Sequence, residues 1–334
     1  MRISLPIEVP LASGYQFYAF PLAILATVED ATDWVLSNHI HVVYDPRKQR
    51  APVPFAFYFF DYSRSPWLET VKTDRFWMAA TGQDAVSVCR DAIAAGYYPY
   101  LNLNEFRVPG RDATGKRDQS HDVLLCGFDD GAGVFELLGY SDTGTLDRSH
   151  IGYRDFAAGY ADLDAIPNGC HQVFFYRVSR DCDYTMNPSL VGEALEEYLR
   201  GDNASLRFGS LQTPWNRVYG IRSYDLLSEY VTDYVSGAER YDIRNLHVLW
   251  EHKHLMTLRL ERLTELTGKD CLSGLATTFR EVEADALALR NGMLKYELSG
   301  RSSRFADTWK ARLERVRERE TEILRSAVEA LRPT

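Results

Sequence analysis

The chain lacks a cysteine framework. Its five cysteines (Cys89, Cys126, Cys170, Cys182 and Cys271) are scattered, odd in number and nowhere spaced as CxxC. That pattern excludes a disulfide scaffold and a zinc knuckle, and it suits a reducing, cytoplasmic compartment. Long apolar runs are missing as well. None approaches the ~18 residues that a membrane helix needs. The first residues show no basic start, apolar core and cleavage site, so neither a spanning segment nor a signal peptide is expected. An excess of positive charge is also missing: 38 Lys and Arg stand against 47 Asp and Glu, a net charge of −9. A nucleic-acid partner, whose phosphates demand a basic face, is therefore not expected. Nor is there a glycine-rich phosphate loop. The run GFDDGAG (127–133) joins two apolar segments and opens no helix. No cofactor and no metal are expected from these motifs.

What is present is enough material for a core. Hydrophobic residues make up 45% of the chain, and its 334 residues suggest two domains. Residues 1–13 read as extended, with Pro6 and Pro10 limiting regular pairing. Pro21 suits the first turn of a buried helix running to about Asn38. A short strand His39–Tyr44 follows, then strand and loop rich in proline and aromatics over 45–70. Asp84–Ala95 is an amphipathic helix ended by Gly96. Tyr97–Val108 is strand, Arg107–Gln119 a polar loop, Ile151–Tyr160 a short helix and Cys170–Arg177 another strand. Helices come early and mostly antiparallel strands later, so residues 1–180 are expected to form an α+β domain.

Beyond a junction at Arg177–Met186 every long segment repeats at 3.6 residues. Leu190–Arg200 ends at Gly201, a helix opened by Thr213–Pro214 runs to about Val235, Ile243–Leu266 ends at Gly268, and Leu272–Leu298 ends at Gly300. A last helix carries the seam Phe305, Trp309, Leu313, Val316, Ile323 and Val328. Residues 187–334 are expected to form an α-helical bundle.

One stretch carries candidate chemistry. The apolar run His121–Phe128, the turn Asp129–Gly133 and the apolar run Val134–Tyr140 spell a β-hairpin. A histidine opens the first strand and Asp142 closes the second, and the two ends of an antiparallel hairpin lie near each other. His121 and Asp142 are therefore expected to form an imidazole–carboxylate pair, the base and orienter of a nucleophilic triad. The plain alternative is a strand-end histidine and an aspartate in the turn Ser141–Gly144. A thiol to complete the triad is not in sequence reach. Cys126 alternates onto the strand face opposite His121, Cys89 sits within an amphipathic helix, and the other three have no neighbouring base.

The blocks SHDVLLCGFDD, FELLGYSDTGTL and IGYRDFAAGY resemble the C-terminal half of a papain-like domain. They are similar to the bacterial double-glycine leader peptidases. They look closer still to the family of the N-terminal domain of butirosin biosynthesis protein H, acyltransferase-type papain-like domains of natural-product clusters. The resemblance covers residues 10–180. It implies a papain-like fold, with His121 as base and the later acidic residue, Asp142, as its orienter; Tyr140 is the other candidate for that slot. It also implies a cysteine at the start of the first long helix, with an oxyanion donor just ahead. Here the block reads SGYQFYAFPLAIL: Gln16 fits the donor, and the nucleophile slot falls on Tyr18, Ala19 or Phe20, none of them cysteine. A phenol with a pKa of about 10 is a sluggish acyl acceptor, and Ser13, the nearby hydroxyl of suitable chemistry, lies upstream. Tyr18 and Tyr140 are expected to line the substrate site.

Two functions follow from the resemblance. The first is acyl or aminoacyl transfer from a carrier-protein thioester to an amine, on a small molecule or a peptide, with His121 deprotonating the amine for direct attack. The second is a domain without its nucleophile that binds a peptide, a carrier protein or a partner enzyme, with the helical bundle as a homodimer or docking surface.

The helical part holds a second constellation. NLHVLWEHKHLM puts His247, Glu251 and His254 on one helical face, where Glu281 and Asp285 of the next helix would complete a carboxylate–histidine metal site. The three-residue Glu–His spacing of bundle metal sites is absent, so a solvated polar stripe is expected instead. His39 and His41 share a strand face but have no third ligand in view. The arginines of the last helix interleave with glutamates and read as an ion-paired exposed face.

Overall fold

The computed structural model describes residues 1–47, 53–167, 170–301 and 306–332; Phe305 of the expected seam lies outside them. The strands are β1 (Arg2–Ser4), β2 (Val42–Tyr44), β3 (Phe55–Phe57), β4 (Leu68–Asp74), β5 (Tyr98–Asn104), β6 (Ser120–Asp129), β7 (Val134–Tyr140), β8 (Leu146–Gly152), β9 (Gln172–Val178) and β10 (Val218–Tyr219). The helices are α1 (Gln16–Leu25), α2 (Ala31–Asn38), α3 (Arg75–Ala80), α4 (Ala85–Ala94), α5 (Tyr153–Ala161), α6 (Pro188–Arg200), α7 (Ser223–Ser236), α8 (Arg244–Thr267), α9 (Asp270–Leu298) and α10 (Ala306–Leu331). The class is α+β, with an antiparallel sheet and a helical C-terminal region. Two compact units emerge: residues 1–31 with 62–183, and residues 32–61 with 184–334. Residues 32–61, expected in the first domain, thus belong to the second unit.

In the first unit, β4, β9, β5, β6, β7 and β8 lie side by side, antiparallel throughout, and β1 pairs with the far end of β6. Every residue of β5 is buried, because the sheet is covered on both faces. One face packs Leu101, Leu103, Val123, Leu125, Phe135 and Val173 against Cys89 and Ile93 of α4 and Phe156 of α5. The other carries Tyr100, stacked on Phe174 and met edge-on by Phe20 of α1. Gly127 has to be glycine: a Cβ there would lie 2.6 Å from the carbonyl of Ile3 on β1. The single buried helix expected from Pro21 to Asn38 is two helices, with Thr27 closing the first through a 2.7 Å bond to the carbonyl of Ile24. β8 escaped sequence reading because LDRSHIG is mostly polar; its ladder to β7 makes it a strand.

In the second unit, α8 and α9 form an antiparallel pair. His247 with Arg290, His254 with Glu283 and Glu261 with Arg280 climb the seam in opposite chain directions. α10 returns along α9, with Trp309 packed on Tyr296. Thr213–Pro214 does not open α7. That helix starts at Ser223, because Val218 and Tyr219 pair with Tyr44 and Val43 in the small sheet β10-β2-β3. His39 is not on a strand; it follows α2 and its Nδ1 lies 3.1 Å from the carbonyl of Val35. The residues weighed as a metal site go elsewhere. His247 faces Glu251 at 3.0 Å, His254 turns to Glu283, and Glu281 is held by Arg319. Among the described residues no group of three or more His, Cys, Asp or Glu is placed to hold a metal ion.

Candidate functional site

Three side chains from three elements of the first unit meet at one end of the sheet. Gln16 is the first residue of α1, behind an extended Tyr15 that offers no side-chain cap. His121 is the second residue of β6. Glu105 opens the single 3-10 turn that follows β5. That turn is fixed by Asn104, whose Oδ1 accepts from the amides of Phe106 (3.2 Å) and Gln119 (3.0 Å).

The strand pairing explains why Glu105 reaches the imidazole. Leu103 on β5 lies opposite His121 on β6. Glu105 stands two residues on, and residues i and i+2 share a face. Its Oε1 sits 2.7 Å from His121 Nδ1, and its Oε2 accepts from Gln119 Nε2 at 3.1 Å. Glu105 is 5% exposed, so this carboxylate is buried and committed. On the other side of the ring, Gln16 Nε2 lies 2.7 Å from His121 Nε2. A carboxylate acceptor on Nδ1 and an amide donor on Nε2 select the tautomer protonated at Nδ1. Burial pulls the imidazole pKa down, but the hydrogen bond and charge of Glu105, with the charge of Asp122, outweigh it and hold His121 above its ordinary value.

The structure does not bring Asp142 to the His121 ring. Near the turn the hairpin pairs Asp129 with Val134, and that register carried down the strands would set His121 opposite Asp142. A bulge between Leu125 and Gly127 shifts the ladder by one residue, so that Leu124 pairs with Leu138. Continued from there, His121 falls opposite Ser141. A one-residue slip moves a side chain to the other face. Asp142 is exposed in the turn after β7, its amide donating to the carbonyl of Gly110 at 2.9 Å.

Tyr18 is 1% exposed, its ring packed against those of Tyr15 and Phe17. Tyr140 is half-buried at the end of β7. Neither ring nitrogen of His121 meets a thiol: both are taken by Gln16 and Glu105. Cys126 is buried, which pushes its thiol up to about 12, and Cys89 is buried in α4 with its pKa raised by the same cause. Glu105 is the residue that sequence reading missed. Its signal was present: an acid two positions past Leu103, just beyond the end of the strand that pairs with the histidine strand.

The site thus holds an imidazole that meets a buried carboxylate at one ring nitrogen and a carboxamide at the other, in a unit of α+β class. Compared with protein-family models and with curated proteins, the chain matches none.

Proposed function

We propose that the first unit is a papain-like domain that binds an acyl or peptidyl ligand, presented by a carrier protein or a partner, without forming a covalent intermediate. The supporting observation is the 2.7 Å contact of Gln16 Nε2 with His121 Nε2. In a nucleophilic triad the group on the base's free nitrogen is the one that attacks. Here that group is an amide, whose nitrogen lone pair is delocalised and which yields no proton at neutral pH. A second reading is favoured by the intact Glu105–His121 pair. With Gln16 displaced by ligand, His121 would take the proton of an acceptor amine as its nitrogen bonds to the thioester carbonyl carbon, then return it to the carrier thiolate as the C–S bond breaks, help typically worth about 10²–10⁴ in rate.

The two readings separate in one experiment. The protein is incubated with acyl-carrier thioesters and amines, and wild type is compared with His121→Ala and Gln16→Ala, while calorimetry measures ligand binding. Binding with no turnover in any variant supports the first reading. Turnover by wild type that His121→Ala abolishes supports the second and ends the first. Neither binding nor turnover rejects both.

A further inference from the structure

Arg111 stands near this site and has no use in either reading. The residue is 4% exposed. Among the described residues no carboxylate stands within ion-pair distance of it. The one side-chain hydrogen bond it makes is long, 3.3 Å from Nη2 to Ser149 Oγ. Its Nε is sealed from solvent with no acceptor, while Nη1 makes no hydrogen bond and is not among the sealed atoms.

The surrounding chain is shaped for this group. Gly139 of β7 lies against it: a Cβ there would come within 2.5 Å of Nη2 and 3.2 Å of Nη1, so the strand is left bare where the guanidinium rests. The backbone of Arg111 is anchored independently, its amide on Thr114 Oγ1 at 2.9 Å and Thr114 Oγ1 in turn on the carbonyl of Val108 at 2.6 Å. The nearest charges, Glu105 and Asp147, act on it only through space. Glu105 is already shared between His121 and Gln119.

A buried charge without a partner is costly. Arginine is also the side chain whose planar fork matches two oxygens of one oxyanion. We propose that Arg111 is the receptor for an oxyanion, a carboxylate or phosphate carried by the ligand of this unit, which docks on Nη1 and Nη2 near the His121–Glu105 pair. The proposal deepens the binding reading above and rests on it for the ligand's whole identity, but the anion contact stands on Arg111 alone.

The test uses the full chain and two probes, inorganic phosphate and acetate, at constant ionic strength, read by calorimetry and thermal shift. Wild type is expected to bind at least one of them saturably, and the one it prefers names the anion. Arg111→Lys keeps the charge without the fork and is expected to bind about tenfold more weakly; Arg111→Met is expected to lose binding. His121→Ala is expected to keep it, so a failure of the catalytic or ligand reading leaves this result untouched. If wild type binds neither probe, or if Arg111→Lys binds as well as wild type, Arg111 is a packing residue and the proposal falls. The lysine variant decides the matter even if the methionine variant does not fold.

Discussion

Gln16 and His121 meet side chain to side chain across 105 residues of sequence, the amide Nε2 on the imidazole Nε2. The contact joins the start of the first helix to the start of the central strand. It makes the charge state of His121 responsive to position 16. Gln16→Glu puts a second carboxylate against the ring, and opposite charge favours the protonated form. The imidazole pKa, followed by NMR titration, is expected to rise above that of wild type. An unchanged pKa would show that the two side chains do not touch in solution.

Glu105 supports the same ring from the other side. Glu105→Ala takes the acceptor from His121 Nδ1 and Gln119 Nε2, both half-buried, a loss of about 0.5–1.5 kcal/mol. The expected result is a lower midpoint in urea for the first unit, together with a lower His121 pKa. Asp142→Ala, at an exposed turn, is expected to change neither by more than about 0.5 kcal/mol.

His121 and three buried histidines of the second unit are expected to contribute to stability with opposite pH dependence. The folded pKa of His121 is raised, so the stability it adds is complete below the ordinary value of 6.5 and fades as pH climbs through the raised one. In the second unit burial drives His39 down to about 3 and His41 to about 4, and it drives His252 well below its ordinary value. Their contribution is complete above pH 6.5 and is lost as pH falls toward those values. Through these three histidines, acidification from neutral pH to about 4 should destabilise the helical unit, and replacing His39 and His252 by asparagine should shift its acid transition to lower pH. Tryptophan fluorescence of Trp250 and Trp309, with other tryptophans replaced by phenylalanine, would follow it; an unshifted transition would contradict the expectation.

The helical unit also encloses a charge network. Glu320, fully buried, accepts from Lys253 Nζ at 2.7 Å, Tyr198 at 3.0 Å and Tyr224 at 2.7 Å, and Lys253 lies 2.8 Å from His252 Nδ1. His252 Nε2 in turn reaches the carbonyl of Ile40 at 2.9 Å. Glu320→Ala leaves a buried ammonium unmatched and should cost about 3–5 kcal/mol, whereas Lys253→Met with Glu320→Leu should recover much of it. Urea denaturation of the three proteins measures both; a double variant weaker than the single one would refute the pairing.

Two left-handed glycines separate strain from collision. Gly237 ends α7 at φ +81 with open space around it, so alanine there should cost about 1–2 kcal/mol. Gly220, at φ +56, would place a Cβ 2.3 Å from the backbone carbonyl of Tyr198. Its alanine variant should lose clearly more stability than Gly237→Ala in thermal melts.

Local features were legible because local chemistry makes them. Asp84 caps α4 through the amide of Ser87, Gly201 and Gly268 close α6 and α8 in the left-handed region, and the hairpin turn follows from Asp129–Gly133. The apolar run that follows it determined that His121 stands at the start of a core strand. What decided the site was tertiary. A bulge near Cys126, which no turn residue announces, slid the ladder by one and turned Asp142 from the ring. The strand on the other side then brought in Glu105, since pairing across a sheet is chosen by the whole fold. Gln16, read by resemblance as an oxyanion donor ahead of an absent nucleophile, lies on the imidazole because α1 packs across that sheet. In the same way residues 32–61 left their sequence neighbours: burial of Arg259 on the carbonyls of Leu36 and His39, and of His252 on Ile40, binds them to the helical unit. Turns and caps are contracts between near neighbours; partners of a buried charge are settled only when distant segments compete to satisfy it.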